Sequence, residues 1–387
     1  MNHGPRSRQR GFTLVETLVV TGLLAGFLVF LVQLLNSGIG LFQEGDEGQE
    51  LSDRAHAASE AVRTTLAAMA GPTGDGASGD SQGVRLLVTR APLGFDPAKG
   101  DVQVLRSTVH VDPREEEALA ERAKRERGPA GRAEEEDALE AATRRGLGTL
   151  LFLPWPAGDA EGAYLELRRG VFLQGEGVPL RDGGSMEVLD LQPLDGETFP
   201  PALVQARTRP VATGLLHVEM AFWSQFTRDW QSTSPGSGPE SVWDSARAGL
   251  FLGEKDDARR FALDIGPQAK DDPALHVWPR WIRVTVVVDR GPGAIAPGIL
   301  AEEVGPGSTT LRVRNDRDLP DPEEVQYLKL GGEWIRCTQR DGPILRGVQR
   351  GLRGTKAATH AVGTRLRYGR TQVFYLRVPH GKDSWNG

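Results

Sequence analysis

The feature that most constrains this chain is an apolar run that opens with Arg10-Gly11-Phe12-Thr13-Leu14-Val15-Glu16 and reaches to about Phe42. A bilayer core of about 30 Å needs roughly 20 helical residues, and between Phe12 and Gln43 the sole ionisable side chain is Glu16. The run therefore predicts a membrane-spanning helix over 12–42. Glu16 is its anomaly. A carboxylate near the head of a membrane helix costs about 2.5–3.5 kcal/mol on the mildest insertion scale, so something must offset it, and a newly exposed amino terminus would. Arg6, Arg8 and Arg10 form a basic leader expected to stay cytoplasmic, which sends the rest of the chain across the membrane.

Two simpler readings compete. An ordinary secretory signal has an apolar segment of only about 7–15 residues that ends at a small-x-small site, whereas this run is longer and no clear Ala-x-Ala follows it. A plain signal anchor gives no role to Glu16 and no reason for Gly11 before Phe12. Glycine, aromatic, glutamate and apolar helix together resemble the class III signal of type IV pilins and type II secretion pseudopilins. That resemblance implies cleavage by a prepilin peptidase between Gly11 and Phe12, methylation of the Phe12 nitrogen, and a role for Glu16 in filament assembly. There its carboxylate would offset the terminal amine of a neighbouring subunit, since a paired charge is tolerated where an isolated one is not. The implied partners are the peptidase, other pilins or pseudopilins, the inner membrane and, in addition, a secreted cargo.

The 387 residues suffice for more than one module, and a net charge of −6 gives no global footprint for nucleic acid or anionic lipid. Forty-eight glycines and 25 prolines point to many turns and a β-rich body. A single cysteine, Cys337, excludes an intramolecular disulfide and a cysteine-based zinc cluster. Placed in an apparent strand, it reads as a buried apolar thiol.

Beyond the apolar run, Leu51, Ala55, Ala58, Val62, Leu66 and Met69 recur at steps of three and four, one face of an amphipathic helix that should pack on a sheet. Gly38, Gly40, Gly45 and Gly48 lie between the two parts and suggest a weak joint, because each costs up to about 1 kcal/mol relative to alanine. Gly71-Pro72 ends the helix. The loop 74–80 offers aspartate oxygens of the kind calcium takes but lacks the length and spacing of a calcium loop. A solvated linker is favoured there, calcium is the one cofactor left open, and no metal site is assigned.

Strands are expected at 84–89 and 102–111, then the composition shifts over 112–146 to Glu, Arg and Ala. Asp112 can cap a helix with Pro113 in its first turn, yet the apolar face is thin, and a solvated, partly helical insertion is favoured over a contact arm. Strands resume at 149–153, 164–167, 171–173, 186–189 and 215–223, a spacing that argues for antiparallel sheets. His217, alone in its strand, reads as a packed or solvated residue. Phe222, Trp223, Trp230, Trp243-Asp244 and Trp278-Pro279-Arg280-Trp281 before an apolar strand are similar to the body of a J-type minor pseudopilin.

Arg290-Gly291-Pro292-Gly293 marks a boundary. Short strands at 309–313, 327–330 and 333–337, with Gly331-Gly332 as a hairpin turn, and the glycine-rich segment 347–355 resemble a small β-module common in phage tail and surface proteins. Arg336, Arg340, Arg346, Arg350, Arg353, Lys356, Arg365, Arg367 and Arg370 gather in it. Without interleaved stacking aromatics, a solvated face outweighs nucleic-acid binding. The closing segment 372–378 is proposed to pair near 282–288, which makes 299–370 an insertion.

The expected fold class is thus α+β: leader 1–11, a transmembrane and then amphipathic helix over 12–70, an antiparallel pilin-like body over 84–298, the inserted all-β module and a last strand with tail over 371–387. No His-Glu-x-x-His, Gly-x-Ser-x-Gly or Cys-x-x-Cys is present, and no catalysis is expected. The resemblance implies a minor pseudopilin in a type II secretion pseudopilus, single-pass in the inner membrane, with its body in the periplasm or outside the cell. The alternatives are a minor pilin or pilus-borne adhesin, and an envelope enzyme that uses the head as a tether.

Overall fold

A computed structural model of the protein describes residues 14–69, 85–127, 147–173, 178–179, 185–189, 191, 194, 196–197, 199–224, 229–231, 241–245, 278–279, 281–291, 293–315, 319–323 and 325–378. The chain divides into two units, 1–52 and 53–387. Helix α1 (Leu14–Ala67) begins in the first. Its segment Thr17–Leu35 is long and apolar enough to cross a membrane, with a mean hydropathy of 2.5 and none of it buried. Leu18, Leu23, Phe27, Val29 and Leu35 all stand exposed. The backbone is helical through Gly38, Gly40, Gly45 and Gly48, so the expected joint is no break in α1. Propensity is a weak prior, and four glycines do not interrupt the i to i−4 ladder.

In the second unit, the end of α1 turns Ala55, Ala58, Val62 and Leu66 onto a sheet, with Met69 just beyond it. Val62, Leu66 and Met69 are at most 3 % exposed and contribute about 1.5–3 kcal/mol each by burial. The polar residues on this face find partners in the helix itself: Ser59 donates to the Ala55 carbonyl and Thr65 to that of Ala61, both at 2.7 Å. The helix stops at Ala67, where Met69 bridges to Val109. Gly71 and Pro72, expected to end it, lie outside the described residues.

The body follows as β1 (Leu86–Pro92), β2 (Asp101–His110), α2 (Pro113–Arg127), β3 (Leu147–Pro156) and β4 (Leu165–Leu173). After them come the short pair β5 (Val178–Pro179) and β6 (Ser185–Met186), α3 (Pro201–Arg207), β7 (Arg209–Ser224), β8 (Asp229–Gln231), β9 (Ser241–Asp244) and β10 (Trp281–Val288). The module adds β11 (Gly298–Leu300), β12 (Thr310–Arg314), β13 (Leu328–Leu330), β14 (Glu333–Arg336), β15 (Gln339–Asp341), β16 (Ile344–Arg346), β17 (Gln349–Leu352) and β18 (Arg365–Arg367), before β19 (Arg370–Arg377) returns to the body. Among the described residues, nine strands form an antiparallel sheet in the order β19-β10-β7-β4-β3-β2-β1-β9, with β8 on β7, and eight form a second in the order β15-β16-β12-β11-β18-β13-β14-β17.

Strand alternation shows what covers each face. In β3, Leu150 and Phe152 face α1, while Leu151, Leu153 and Trp155 face a second core with Phe95, Phe199 and Val204. Every residue from Gly148 to Trp155 is buried, the pattern of a strand covered on both sides. Helix α2 is capped as its sequence suggests, with Arg114 N donating to Asp112 Oδ1 at 2.9 Å. It lies on β4 through Leu119, the Arg169 to Glu115 pair and Arg122 donating to the Val171 carbonyl. Residues 128–146 lie outside the described set. Toward its end β7 has left β4, and the carboxamide of Gln103 replaces the missing strand. It accepts from Met220 N at 2.6 Å and donates to Met220 O at 2.9 Å.

Strand β10 pairs with β19 along its whole length, from Trp281 opposite Arg377 to Val288 opposite Arg370. The module enters and leaves through its own adjacent strands, Gly298 opposite Leu366 and Ile299 opposite Arg365. Two neighbouring strands in one sheet thus continue as two neighbouring strands in the other, which lets an insertion leave its host undisturbed. At this neck Gly369 is required, because a Cβ there would strike the Val288 carbonyl oxygen. The module has its own core of Leu300, Leu311, Val313, Leu330, Ile335 and Leu366. Cys337 is buried in it, and burial raises its thiol pKa.

Candidate functional site

Gly11 and Phe12 lie outside the described residues, as does the 74–80 loop that left calcium open. Glu16 is in the backbone of α1, and its side chain also lies outside that description. Among the described residues no group of three or more His, Cys, Asp or Glu converges to hold a metal.

What the second unit does build is a cleft of about 590 Å³ where the inserted sheet meets the body. The meeting surface is apolar, with Ala163, Tyr164, Leu216 and Val287 of the body around Trp334 of β14. This explains why Val287 is buried although β10 alternates earlier. Polar groups fix the docking. Asp101 N donates to the Gly354 carbonyl at 2.8 Å, Lys356 to the Pro97 carbonyl at 2.6 Å and Lys329 to the Leu216 carbonyl at 2.6 Å. At the neck Asp289 accepts from Tyr164 Oη at 2.8 Å and lies 3.4 Å from Arg367.

Trp334 lines the cleft from β14 and gathers its polar side chains. The His217 ring meets its indole edge-on, with centroids 5.6 Å apart. Lys329 Nζ lies 5.4 Å and Arg353 Cζ 4.7 Å from the indole centroid, and Arg353 is also 4.1 Å from the Tyr327 ring. Cation–π contact stabilises such cations where water is displaced. Arg353 makes no ion pair among the described residues, and burial lowers its pKa. Its backbone holds φ +50°, between Gly351 at +65° and Gly354 at +80°, a left-handed conformation that costs a non-glycine residue about 1–3 kcal/mol. Lys329, 3 % exposed, is pushed by burial down to about 7, against the pull of Asp159 and Asp289.

His217 is 8 % exposed, and its buried Nε2 has no hydrogen-bond partner. Glu219 Oε2 is 3.6 Å away, beyond hydrogen-bond reach. Burial holds His217 below the usual imidazole range and so neutral near pH 7. Glu219 is held low by His217 and stays a carboxylate. Glu333, 2 % exposed, is fully occupied: Arg350 donates to both its oxygens at 2.7 Å, Gly351 N and Ala358 N donate to it, and His360 Nε2 lies 2.9 Å away. Burial alone would raise its pKa, but these bonds, that of His360 first, bring it down to about 2.

The arginine cluster expected to form one solvated face is instead dispersed. Arg350 serves Glu333, Arg367 is buried against Asp289, Arg346 and Arg365 pair with Asp341 and Glu161, and Arg340 binds the Leu319 carbonyl. The tryptophans serve packing. Trp243 lies 5.6 Å from Phe222, and Trp230 bridges Trp223 and Tyr375 at 5.3 and 5.5 Å. His217 is packed, as its isolation suggests, but its place in a cleft could not be read from its strand. The partners come from β2, β7 and the module, and the flanking glycines of Arg353 were the one local signal.

Among the described residues, fold and site together define an α+β protein with an N-terminal apolar helix, a mostly β body of two antiparallel sheets, and a cleft between those sheets. No family model matches the chain, nor does any curated protein or solved structure.

Proposed function

We propose that the chain is a minor pseudopilin, a membrane-anchored subunit that initiates or tips the short pseudopilus of a type II secretion system. The observation that carries the reading is the two-part helix α1. Thr17–Leu35 is apolar and exposed, as a segment surrounded by lipid or neighbouring helices must be, while Ala55, Ala58, Val62 and Leu66 further along pack beneath an antiparallel sheet. A plain anchor needs only the first part, and a soluble α+β body only the second. The head sequence around Gly11, Phe12 and Glu16 supplies the rest of the proposal. Prepilin peptidase cuts after Gly11 and methylates Phe12, the helix holds the subunit in the inner membrane with its body in the periplasm, and Glu16 registers it against the next subunit. The inserted module enlarges the body beyond what a repeated shaft subunit needs, which suits an end position.

The test is Glu16→Ala in cells that retain their own secretion machinery. The variant is expected to be processed and membrane-held like the parent, yet lost from the sheared filament fraction and from cross-links to other pilin-type subunits. Unchanged incorporation and unchanged cross-links would contradict the assembly role.

A further inference from the structure

We propose that the cleft between β7 and the inserted sheet binds a monocarboxylate carrying a compact apolar body, either a free organic acid or the carboxyl end of a polypeptide. The inference stands apart from the membrane-anchor reading and rests on side chains of the second unit alone.

Three polar groups converge on Trp334, and the carboxylate beside them, Glu219, stands 3.6 Å from His217, short of a hydrogen bond. Arg353 is wedged between Tyr327 and Trp334 without an ion pair among the described residues. Lys329 Nζ donates to the Leu216 carbonyl and lies over the indole face, while Asp159 and Asp289 act on it without an ion pair among the described residues. His217 Nε2 is buried without a hydrogen-bond partner. The Glu219 carboxylate lies 3.6 Å from that nitrogen, beyond hydrogen-bond reach, and with its proton on Nε2 the ring presents a donor whose hydrogen bond is not yet made. One guanidinium, an amine that a bound anion would help to keep protonated and a buried donor around one ring form an oxyanion site, and a guanidinium suits a planar two-oxygen acceptor.

The cleft's own acids set the charge of the ligand. Glu333 exerts little pull, because Arg350, His360 and two backbone amides already occupy it. Glu219 remains an anion beside His217 and opposes a second negative charge. A carboxylate fits this arrangement better than a phosphate dianion. Leu93, Leu165, Leu216 and Val218 line the rest, so the body of the ligand is apolar. A volume of about 590 Å³ is that of a small-molecule cavity. The exposed Lys99 and Lys356 also line the cleft, along with the acids Asp101 and Glu161; Lys99 lies 3.9 Å from Asp96 and Glu161 3.4 Å from Arg365. The left-handed backbone of Arg353 fits this use, since strain persists where a side chain is held for a task.

The experiment is calorimetric titration of the full chain in detergent with N-acetyl-leucine, N-acetyl-leucinamide, and a pentapeptide of four glycines and a terminal leucine with a free carboxylate. The acid is expected to bind at least about tenfold more tightly than the amide, as a charge-assisted pair to a guanidinium requires. Equal or tighter binding of the pentapeptide identifies a chain end as the ligand, and binding of the acid alone identifies a free organic acid. Arg353→Asn keeps a residue that tolerates left-handed backbone and is expected to weaken the carboxylate at least about tenfold. Glu219→Gln removes the opposing charge and is expected to tighten it about fivefold, a gain that misfolding cannot mimic. Absence of binding by both carboxylates, equal affinity for acid and amide, or indifference to both substitutions overturns the proposal.

Discussion

Tyr164 donates its hydroxyl to Asp289 at 2.8 Å across the neck that joins the two sheets. Tyr164 stands at the head of β4 and Asp289 directly after β10, and the same carboxylate faces Arg367, which is 3 % exposed. One anion therefore ties the host sheet, the outgoing strand and the returning strand together. Tyr164→Phe is expected to cost about 1–2 kcal/mol, the net value of one hydrogen bond to a charged group. Asp289→Asn is expected to cost about 3–5 kcal/mol, because it leaves Arg367 buried without an anion. Thermal unfolding of the detergent-solubilised chain measures both, and equal effects would argue that Arg367 draws nothing from Asp289.

The Glu333 cage predicts acid sensitivity. Its folded pKa is depressed from 4.5 to about 2, so the stability it contributes is fully present above the unfolded value and is lost as pH falls from about 4.5 toward about 2. Glu333→Gln is expected to lower stability at pH 7 by about 3–5 kcal/mol and to flatten the stability profile in that acid window. Thermal midpoints measured across the window test this; a variant as acid-sensitive as the parent would place the labile group elsewhere.

Much of this architecture is legible in the sequence. Steps of three and four mark Ala55, Ala58, Val62 and Leu66 as the inward face of α1, and all four are buried. The alternation of Ile282, Val284 and Val286 marks β10, and the apolar closing segment that reads as its partner lies beside it as β19. Elsewhere local signals mislead. Gly170 reads as a gap between two strands, yet β4 runs straight through it, paired to Leu151 of β3; the glycine is there because a Cβ would meet the Arg207 carbonyl oxygen at 2.9 Å. Pro210 and Gly214 hide the first half of β7, which reads as a strand only from Leu215 although it starts at Arg209. The cleft is invisible in sequence for a different reason. The Gly331-Gly332 hairpin sets Lys329 opposite Trp334, but His217 joins them only because two separate sheets dock, and no spacing rule connects it or Arg353 to that pair.

Lys329 predicts a trend of the same sign in the basic range. Its folded pKa of about 7 lies below the ordinary 10.5, so between those values the unfolded chain holds a proton that the native chain lacks. Stability should then rise with pH over that window, with the cost of a buried ammonium borne in full below about pH 7. Lys329→Met removes the titrating group, and the rise should vanish from its thermal midpoints between pH 7 and 9.5, a range set by that window. Persistence of the rise in the variant would assign it to another group.

Docking of the module on β2 depends on a glycine. A Cβ on Gly100 would collide with the Gly354 carbonyl, the same oxygen that accepts from Asp101 N at 2.8 Å. Gly100→Ala is expected to part the two segments and speed hydrogen exchange at the Asp101 amide by about tenfold or more, the signature of a local opening, while amides of β10 and β19 keep their protection. Exchange at Asp101 unchanged from the parent would mean that the module yields elsewhere.

The central claim, that this is a pilin-type subunit, is tested most directly by the mass of the N-terminal peptide of the mature protein, isolated from membranes of cells that keep their own prepilin peptidase. The account predicts a peptide that begins at Phe12 and carries one methyl group on its nitrogen. A peptide that still begins at Met1 would make the protein an ordinary anchored one, and a start beyond the apolar run would make it a secreted one. Either result contradicts the filament reading.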